Sequence, residues 1–174
     1  MKDFSNLTDA ELSEAIKSSD PLAFKALYYR YHDAIGIFVY HRIGSVDMTR
    51  DFVQEVFTRL WHTRSNIDIH KSIKAYLYRI ANNLAIDHFR KNASRKTYLS
   101  AMARQKHLAS QESIEMSTAV KMAIDKLPDK LRSVFMLSRY EDLKYSEIAE
   151  VYKVSVKTIE SRMSQALSFL RKEL

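Results

Sequence analysis

The chain has 174 residues, 46% of them hydrophobic and 28% charged, with a formal net charge of +7. That is enough apolar material to bury a core, and with two glycines and two prolines the chain favours helices over a turn-rich sheet fold. The absence of cysteine excludes disulfides, thiolate zinc sites and cysteine nucleophiles, and no run of about 18 apolar residues exists to enter a membrane.

Asp9 opens a short acidic helix that ends near Ser18, Ser19 and Asp20. Pro21 stands where a helix can begin, with Asp20 as its cap. Phe24, Leu27, Tyr31, Ile35 and Phe38 then recur at three- and four-residue steps, one side of a long helix broken at Gly44–Asp47. The segment Asp51–Trp61 predicts a dense helix in which Phe52/Val53, Val56/Phe57 and Leu60/Trp61 form paired apolar positions. Asp51, Gln54, Glu55, Thr58, Arg59 and His62 take its other face. Ser65–His70 reads as a loop. The next helix turns Ile73, Leu77, Ile80 and Leu84 inward, with Lys74, Tyr78, Arg79, Asn82, Asn83 and Arg90 expected outward. These elements make one helical domain over 9–91.

Residues 92–115 lose periodicity and read as a linker. A second, smaller domain is expected over 116–174. It opens on the stripe Val120, Ala123, Ile124 and Leu127, and Pro128 starts a further helix carrying Leu131, Val134, Phe135 and Leu137. The predicted class is all-α, two small helical domains joined by a linker.

Charge is unevenly placed. Between Lys71 and Lys106 there are nine Lys/Arg residues against one acid, Asp87. Such a stretch attracts a polyanion, nucleic acid first, by releasing condensed counterions; it also describes a solvated helix face followed by a basic linker. The helix Tyr76–Lys91 adds aromatic and amide side chains to that charge. Tyr78 is expected to offer a stacking face, Asn82 and Asn83 to meet exposed base edges, and Lys74, Arg79, Arg90 and Lys91 to hold a backbone. The mixture suits single-stranded nucleic acid, and an amphipathic helix with an ordinary polar exterior has the same pattern.

Residues 145–170 contain two stripes separated by a short break. Ser146 can cap a first helix with Ile148, Ala149 and Tyr152 inside. Lys153–Val154 turns the chain, and Ser155 caps a second helix with Ile159, Met163, Ala166, Leu167 and Leu170 inside. The opposite face of the second helix carries Lys157, Thr158, Ser161, Arg162 and Gln165. Two helices, a tight turn and a decorated second helix describe a helix-turn-helix suited to the major groove. There Arg and Gln reach base edges while Lys, Ser and Thr hold phosphates. An ordinary helical hairpin is the alternative. The turn commonly contains Gly, and here it contains Lys153, a residue that adopts a left-handed backbone at a cost of about 1 kcal/mol.

No constellation for catalysis, metal or cofactor stands out. The six histidines are scattered without metal-ligand spacing, two glycines build no phosphate loop, and no nucleophile elbow surrounds a serine. No enzymatic activity, cofactor or metal is expected. Trp61 belongs to the core edge or anchors a protein interface.

Asp51–Trp61, Ala75–Arg90 and Leu127–Arg132 leading into Tyr145–Leu170 follow one another in an order and at distances that resemble a bacterial RNA polymerase sigma factor of the extracytoplasmic-function (ECF) group of the sigma-70 family. The resemblance covers nearly the whole chain. It implies a sigma-2 domain over 22–91, a linker through the polymerase channel, and a sigma-4 domain over 116–174, with no sigma-1.1 or sigma-3 domain. It places Asp51, Gln54, Glu55, Arg59, Leu60 and Trp61 where the family docks on the clamp helices of the largest polymerase subunit. The loop 65–72 and the helix to Lys91 fall where the family captures a flipped base of the −10 element and holds the melted strand. The helix 155–170, with Ser155 at its start, falls where the family reads the −35 element; the first sigma-4 helices would meet the flap of the second-largest subunit. Lys153 departs from the family's frequent turn glycine. The resemblance also implies core RNA polymerase and promoter DNA as partners, an anti-sigma factor as a further one, no membrane insertion and a cytoplasmic location, which suits the absence of cysteine and of an export signal in Met1–Ser5. The competing class is a stand-alone helix-turn-helix regulator that binds duplex DNA without polymerase.

Overall fold

The computed structural model describes residue 4 and residues 6–96 and 118–174. Among the described residues there are eight α-helices, one 3-10 turn and no strand, the all-α class that the pattern predicts. The chain divides into two compact units, within Met1–Leu108 and within Ala109–Leu174.

The first unit begins with α1 (Asp9–Lys17). Thr8 Oγ1 accepts the Glu11 N–H at 3.3 Å, and Glu11 Oε2 accepts the Thr8 N–H at 2.7 Å, a reciprocal capping box. Donation from the Thr8 backbone, then from its hydroxyl, holds the Glu11 carboxyl below the usual glutamate range. Asp20 then caps α2 (Pro21–Ile43) by accepting the Leu22 and Ala23 N–H groups at 2.8 and 3.3 Å. Asp9 ties the two helices together, bonded to the Arg30 guanidinium at 2.8 Å and to the Tyr31 hydroxyl. Gly44, at φ 73°, ends α2 in the left-handed conformation that glycine adopts freely. The helix α3 (Val46–His62) starts five residues before the expected Asp51, because Ser45 Oγ accepts the Met48 N–H and caps it there.

A 3-10 turn (Arg64–Asn66) and buried Ile67 lead to α4 (Ile73–Lys96). Ser72 Oγ caps α4 by accepting the Ala75 N–H at 3.1 Å. The helix packs against α1, α2 and α3. It continues five residues past the expected domain end at Lys91, since no glycine or proline interrupts 92–96 and Ala93, Arg95 and Lys96 favour helix. The remainder of the expected linker lies outside the described residues. The core of this unit contains Leu12, Ile16, Leu27, Ile35, Val39, Val56, Leu60, Leu77 and Tyr78, all fully buried.

The second unit contains α5 (Thr118–Asp125), α6 (Asp129–Arg139), α7 (Tyr145–Tyr152) and α8 (Val156–Glu173). Ala123, Ile124 and Leu127 pack on Ala166 and Leu170 of α8, with Phe135, Tyr140 and Phe169 at the margin. Burial raises the Tyr140 hydroxyl above its usual pKa. Arg132 is 6% exposed. It donates to the Asp125 carbonyl at 2.9 Å and pairs with the Asp129 carboxylate, which seals the α5–α6 corner. The helix α7 begins at Tyr145 with Ser146 already inside it. The expected cap is thus replaced by Glu147, whose carboxylate accepts the Lys144 N–H at 2.7 Å.

Lys153 ends α7 at φ 54°, ψ 46°, the left-handed region. The Val154 N–H reaches the Ala149 carbonyl at 3.1 Å, the long bond of a Schellman ending. The turn is therefore the one a glycine would make, built with lysine. Lys153→Gly is expected to keep the fold of this unit and raise its stability by up to about 1 kcal/mol, the released left-handed strain less the added unfolded-chain entropy. Amide hydrogen exchange along α7 measures it; faster exchange in the variant would assign a stabilising role to the lysine side chain.

Candidate nucleic-acid interface

The second unit presents α8 as an amphipathic helix. Ser155 caps it, accepting the Thr158 N–H at 3.2 Å and lying 2.9 Å from the Thr158 hydroxyl. Ile159, Met163, Ala166 and Leu170 are buried, and Leu167 is half-buried. Lys157, Ser161 and Gln165 are exposed, while Thr158 and Arg162 are half-buried. Gln165 Nε2 donates to Ser161 Oγ at 3.1 Å, so these two side chains form one polar surface. The six expected residues line a single open groove together with Lys130 and Leu131 from the first turn of α6. The sequence offers no periodic signal for Lys130, since α6 meets α8 only through the tertiary fold. Fully buried Ile148 and nearly buried Ala149 let α7 pack against α8. Val151 is the third fully inward residue of α7, while Tyr152, expected there, is half-buried.

In the first unit the structure corrects part of the expected face of α4. Tyr78 and Asn82 are 0% and 1% exposed, so neither ring nor amide meets solvent. The Tyr78 ring stands edge-on to Phe38 at 5.1 Å. The reason is that Ile73–Ala85 is covered by three helices, which leaves a narrower strip than a one-sided stripe predicts. That strip is Tyr76, Arg79, Asn83, Asp87 and Arg90, spaced by three or four residues. Tyr76 supplies the accessible aromatic surface in place of Tyr78. Its hydroxyl lies 2.9 Å from Thr63 Oγ1, and the Arg79 guanidinium sits 5.0 Å from its ring centre. Lys74 is half-buried, its ammonium 5.8 Å from the Tyr31 ring. Arg90 and Lys91 are exposed; Arg90 lies 3.9 Å from Asp87, a surface pair of little energetic consequence. Of the nine basic residues between Lys71 and Lys106, Lys71, Arg90 and Lys91 are exposed and Lys74 and Arg79 half-buried; the side chains of the other four lie outside the described residues.

The outer face of α3 carries Asp51, Gln54 and Arg59 exposed and Glu55 half-buried, with Arg59 Nε 2.7 Å from Glu55 Oε1. Leu60 is fully buried, so it supports this face from beneath and presents nothing to a partner. Trp61 is half-buried, edge-on to Phe24 at 5.1 Å and covered by the Arg64 guanidinium at 4.4 Å.

One unit is thus a helix-turn-helix with a polar groove and the other a bundle with a basic aromatic strip. Family models for Sigma-70 region 2 and Sigma-70, region 4 match residues 27–96 and 117–170. The ECF RNA polymerase sigma factor SigW of Bacillus subtilis is 32% identical, with 91% of this chain and 92% of that one covered. The ECF RNA polymerase sigma-E factor of Escherichia coli is 27% identical over 92% of this chain and 91% of its own. The sigma factor RpoE of Bartonella quintana, solved in complex with the anti-sigma factor NepR, is similar in fold, with a TM-score of 0.68, 22% identity, and coverage of 86% of this chain and 95% of that one. The chain belongs to the sigma-70 family, within its group of ECF RNA polymerase sigma factors. A stand-alone regulator is disfavoured, because region 2 accounts for the first unit as region 4 does for the second.

Because Tyr78 is core, Tyr78→Ala is expected to destabilise the first unit by about 3–5 kcal/mol, the usual cost of deleting a buried aromatic ring. Thermal unfolding monitored by Trp61 fluorescence reads this, and an unchanged midpoint would contradict the burial.

Proposed function

We propose that this sigma factor directs promoter-specific initiation by a two-point grip that core RNA polymerase brings into register. The observation that carries the proposal is the pairing, in one chain, of a polar helix-turn-helix groove with a basic strip bearing Tyr76, Arg79 and Asn83. The groove of α8 takes the duplex −35 element, with Arg162 and Gln165 on base edges and Ser155, Lys157, Thr158 and Ser161 toward phosphates. The strip on α4, with Arg90 and Lys91 beyond it, holds the unpaired −10 strand by stacking and charge. Binding an unpaired base lowers the cost of opening the duplex. The two domains, expected over 9–91 and 116–174 with a linker between them, are part of the same proposal, with α4 carrying the first on to Lys96.

Asp51, Gln54, Glu55, Arg59 and Trp61 form the surface offered to the largest-subunit clamp helices, and the first helices of the second unit meet the flap. The protein breaks no covalent bond; it supplies specificity to the polymerase that does. Isolated, it binds DNA weakly, because two weak sites cooperate only when a partner sets their effective concentration. A cytoplasmic location and an anti-sigma partner complete the reading. They follow from the group, and among the described residues no helix is long and apolar enough to cross a membrane.

Purified protein and core polymerase are expected to start transcription at members of a randomised promoter library, while neither component alone selects a promoter. Silence across the library with folded protein would overturn the reading, and tight duplex binding without polymerase would favour the stand-alone regulator. Arg162→Ala is expected to cost about 1–3 kcal/mol and relax base preference in the −35 element; the selected promoters report it, and an unchanged −35 preference assigns base reading elsewhere on α8. Asn83→Ala is expected to slow opening with duplex binding intact. Normal permanganate reactivity in the −10 region would remove Asn83 from the strand-holding set.

A further inference from the structure

The 3-10 turn after α3 is held by the end of α1, a helix that carries none of the proposed contact residues. Lys17 Nζ donates to the Ile67 carbonyl at 3.0 Å. Ser19 Oγ accepts from Arg64 Nε at 2.9 Å. Arg64 also donates through Nη1 to the Trp61 carbonyl at 2.7 Å, and its guanidinium covers the Trp61 ring. Lys17, the last residue of α1, and Ser19, two residues past it, therefore grip both sides of a three-residue turn, and the Arg64 side chain between them rests on the tryptophan of the α3 face. Ser19 does this from a left-handed backbone, φ 67°, which a non-glycine residue holds only at a cost. Ile67, just past the turn, is 5% exposed, and the exposed side chains of the turn and the loop after it are Ser65, Asn66, Asp68, His70 and Lys71. Asp68 folds the loop tip, its carboxylate accepting the His70 N–H at 3.0 Å and its carbonyl the Lys71 N–H at 3.0 Å.

We propose that Lys17 and Ser19 are positioning residues for −10 base selection: by fixing Arg64 and the Ile67 carbonyl they set where the exposed loop side chains Ser65, Asn66, Asp68 and His70 meet the unpaired strand. The inference rests on the single-strand role proposed for this unit, extended to the loop 65–72 that the family resemblance puts at the flipped base. Both residues are exposed, and although the Lys17 bond is part-buried at its Ile67 end, one hydrogen bond apiece adds only modestly to global stability. Their consequence is geometric, because a loop anchored at its first turn presents its tip in one pose and a released loop samples several.

The test uses holoenzyme assembled from core polymerase and full-length protein, with a promoter library randomised across the −10 element. Ser19→Gly keeps the left-handed turn at lower strain and deletes the acceptor. Lys17→Met keeps the aliphatic stem and deletes the donor, and Lys17→Arg restores a donor. Each deleting variant is expected to change relative use of −10 bases by about three- to ten-fold, the equivalent of one lost hydrogen bond. Core binding and −35 preference stay as in the wild type, Ser19→Gly unfolds at no lower temperature, and Lys17→Arg recovers the wild-type base preference. A −10 preference unchanged in both deleting variants overturns the proposal, as does a uniform loss at every −10 sequence that tracks a fall in thermal stability. Failure of the wild-type protein to start transcription at all is a separate result; it overturns the sigma-factor reading and removes this proposal with it.

Discussion

The first unit depends on the burial of α4. Between Ile73 and Ala85 this helix meets α1, α2 and α3, and nine of its thirteen residues are buried. Each fully buried large apolar side chain there contributes roughly 1.5–3 kcal/mol by removal from water. Ala75, Ala81 and Ala85 are small enough for the neighbouring helices to come close. The same burial limits what α4 shows to solvent: a helix covered on three sides has one strip left, and Tyr76, Arg79, Asn83, Asp87 and Arg90 occupy it.

The second unit distributes its constraints differently. Its helices are short, from eight residues in α5 and α7 to eighteen in α8. Short helices are marginal alone and hold by packing and by their ends. Here the ends are specified individually: Arg132 joins α5 to α6, Glu147 caps α7, Lys153 reverses the chain and Ser155 caps α8. The left-handed strain at Lys153 lies between two helices that each bury apolar residues, so packing on both sides outweighs about 1 kcal/mol of backbone cost. The groove is a consequence. Once α6 packs on α8, the first turn of α6 places Lys130 and Leu131 beside the polar face, and the two helices together present a surface that neither has alone.

The proposed contact surfaces of the two units share one feature. In each, the polar face is carried by a helix whose opposite side is core: Val53, Val56, Phe57 and Leu60 beneath Asp51, Gln54 and Arg59 in α3, and Ile159, Met163 and Ala166 beneath Lys157, Ser161 and Gln165 in α8. Each face therefore projects its side chains from a packed scaffold, which would limit the entropy lost on binding. The loop after α3 is not carried by such a helix; buried Ile67 and the hydrogen bonds from Lys17 and to Ser19 hold it.

The sequence by itself determined the all-α class, the breaks at Asp20–Pro21 and Gly44, the buried stripe of α8 and its polar reverse. Each is local: a cap, a break or a 3.6-residue period is written in neighbouring positions and needs no partner to be read. The order of the segments 51–61, 75–90 and 127–170 is likewise legible as a family resemblance, and the family models matched to both regions agree with it. Only the tertiary structure decided that Tyr78 and Asn82 are core and Tyr76 is accessible, that Leu60 supports the α3 face from beneath, and that Lys130 joins the groove. A periodic pattern identifies one inward side of a helix, whereas the number of sides that neighbouring helices cover is set by packing between residues far apart in the chain. The hydrogen bond from Arg64 to Ser19, forty-five positions away, is of the same kind: two polar residues whose relation exists only once the end of α1 packs against the turn that follows α3.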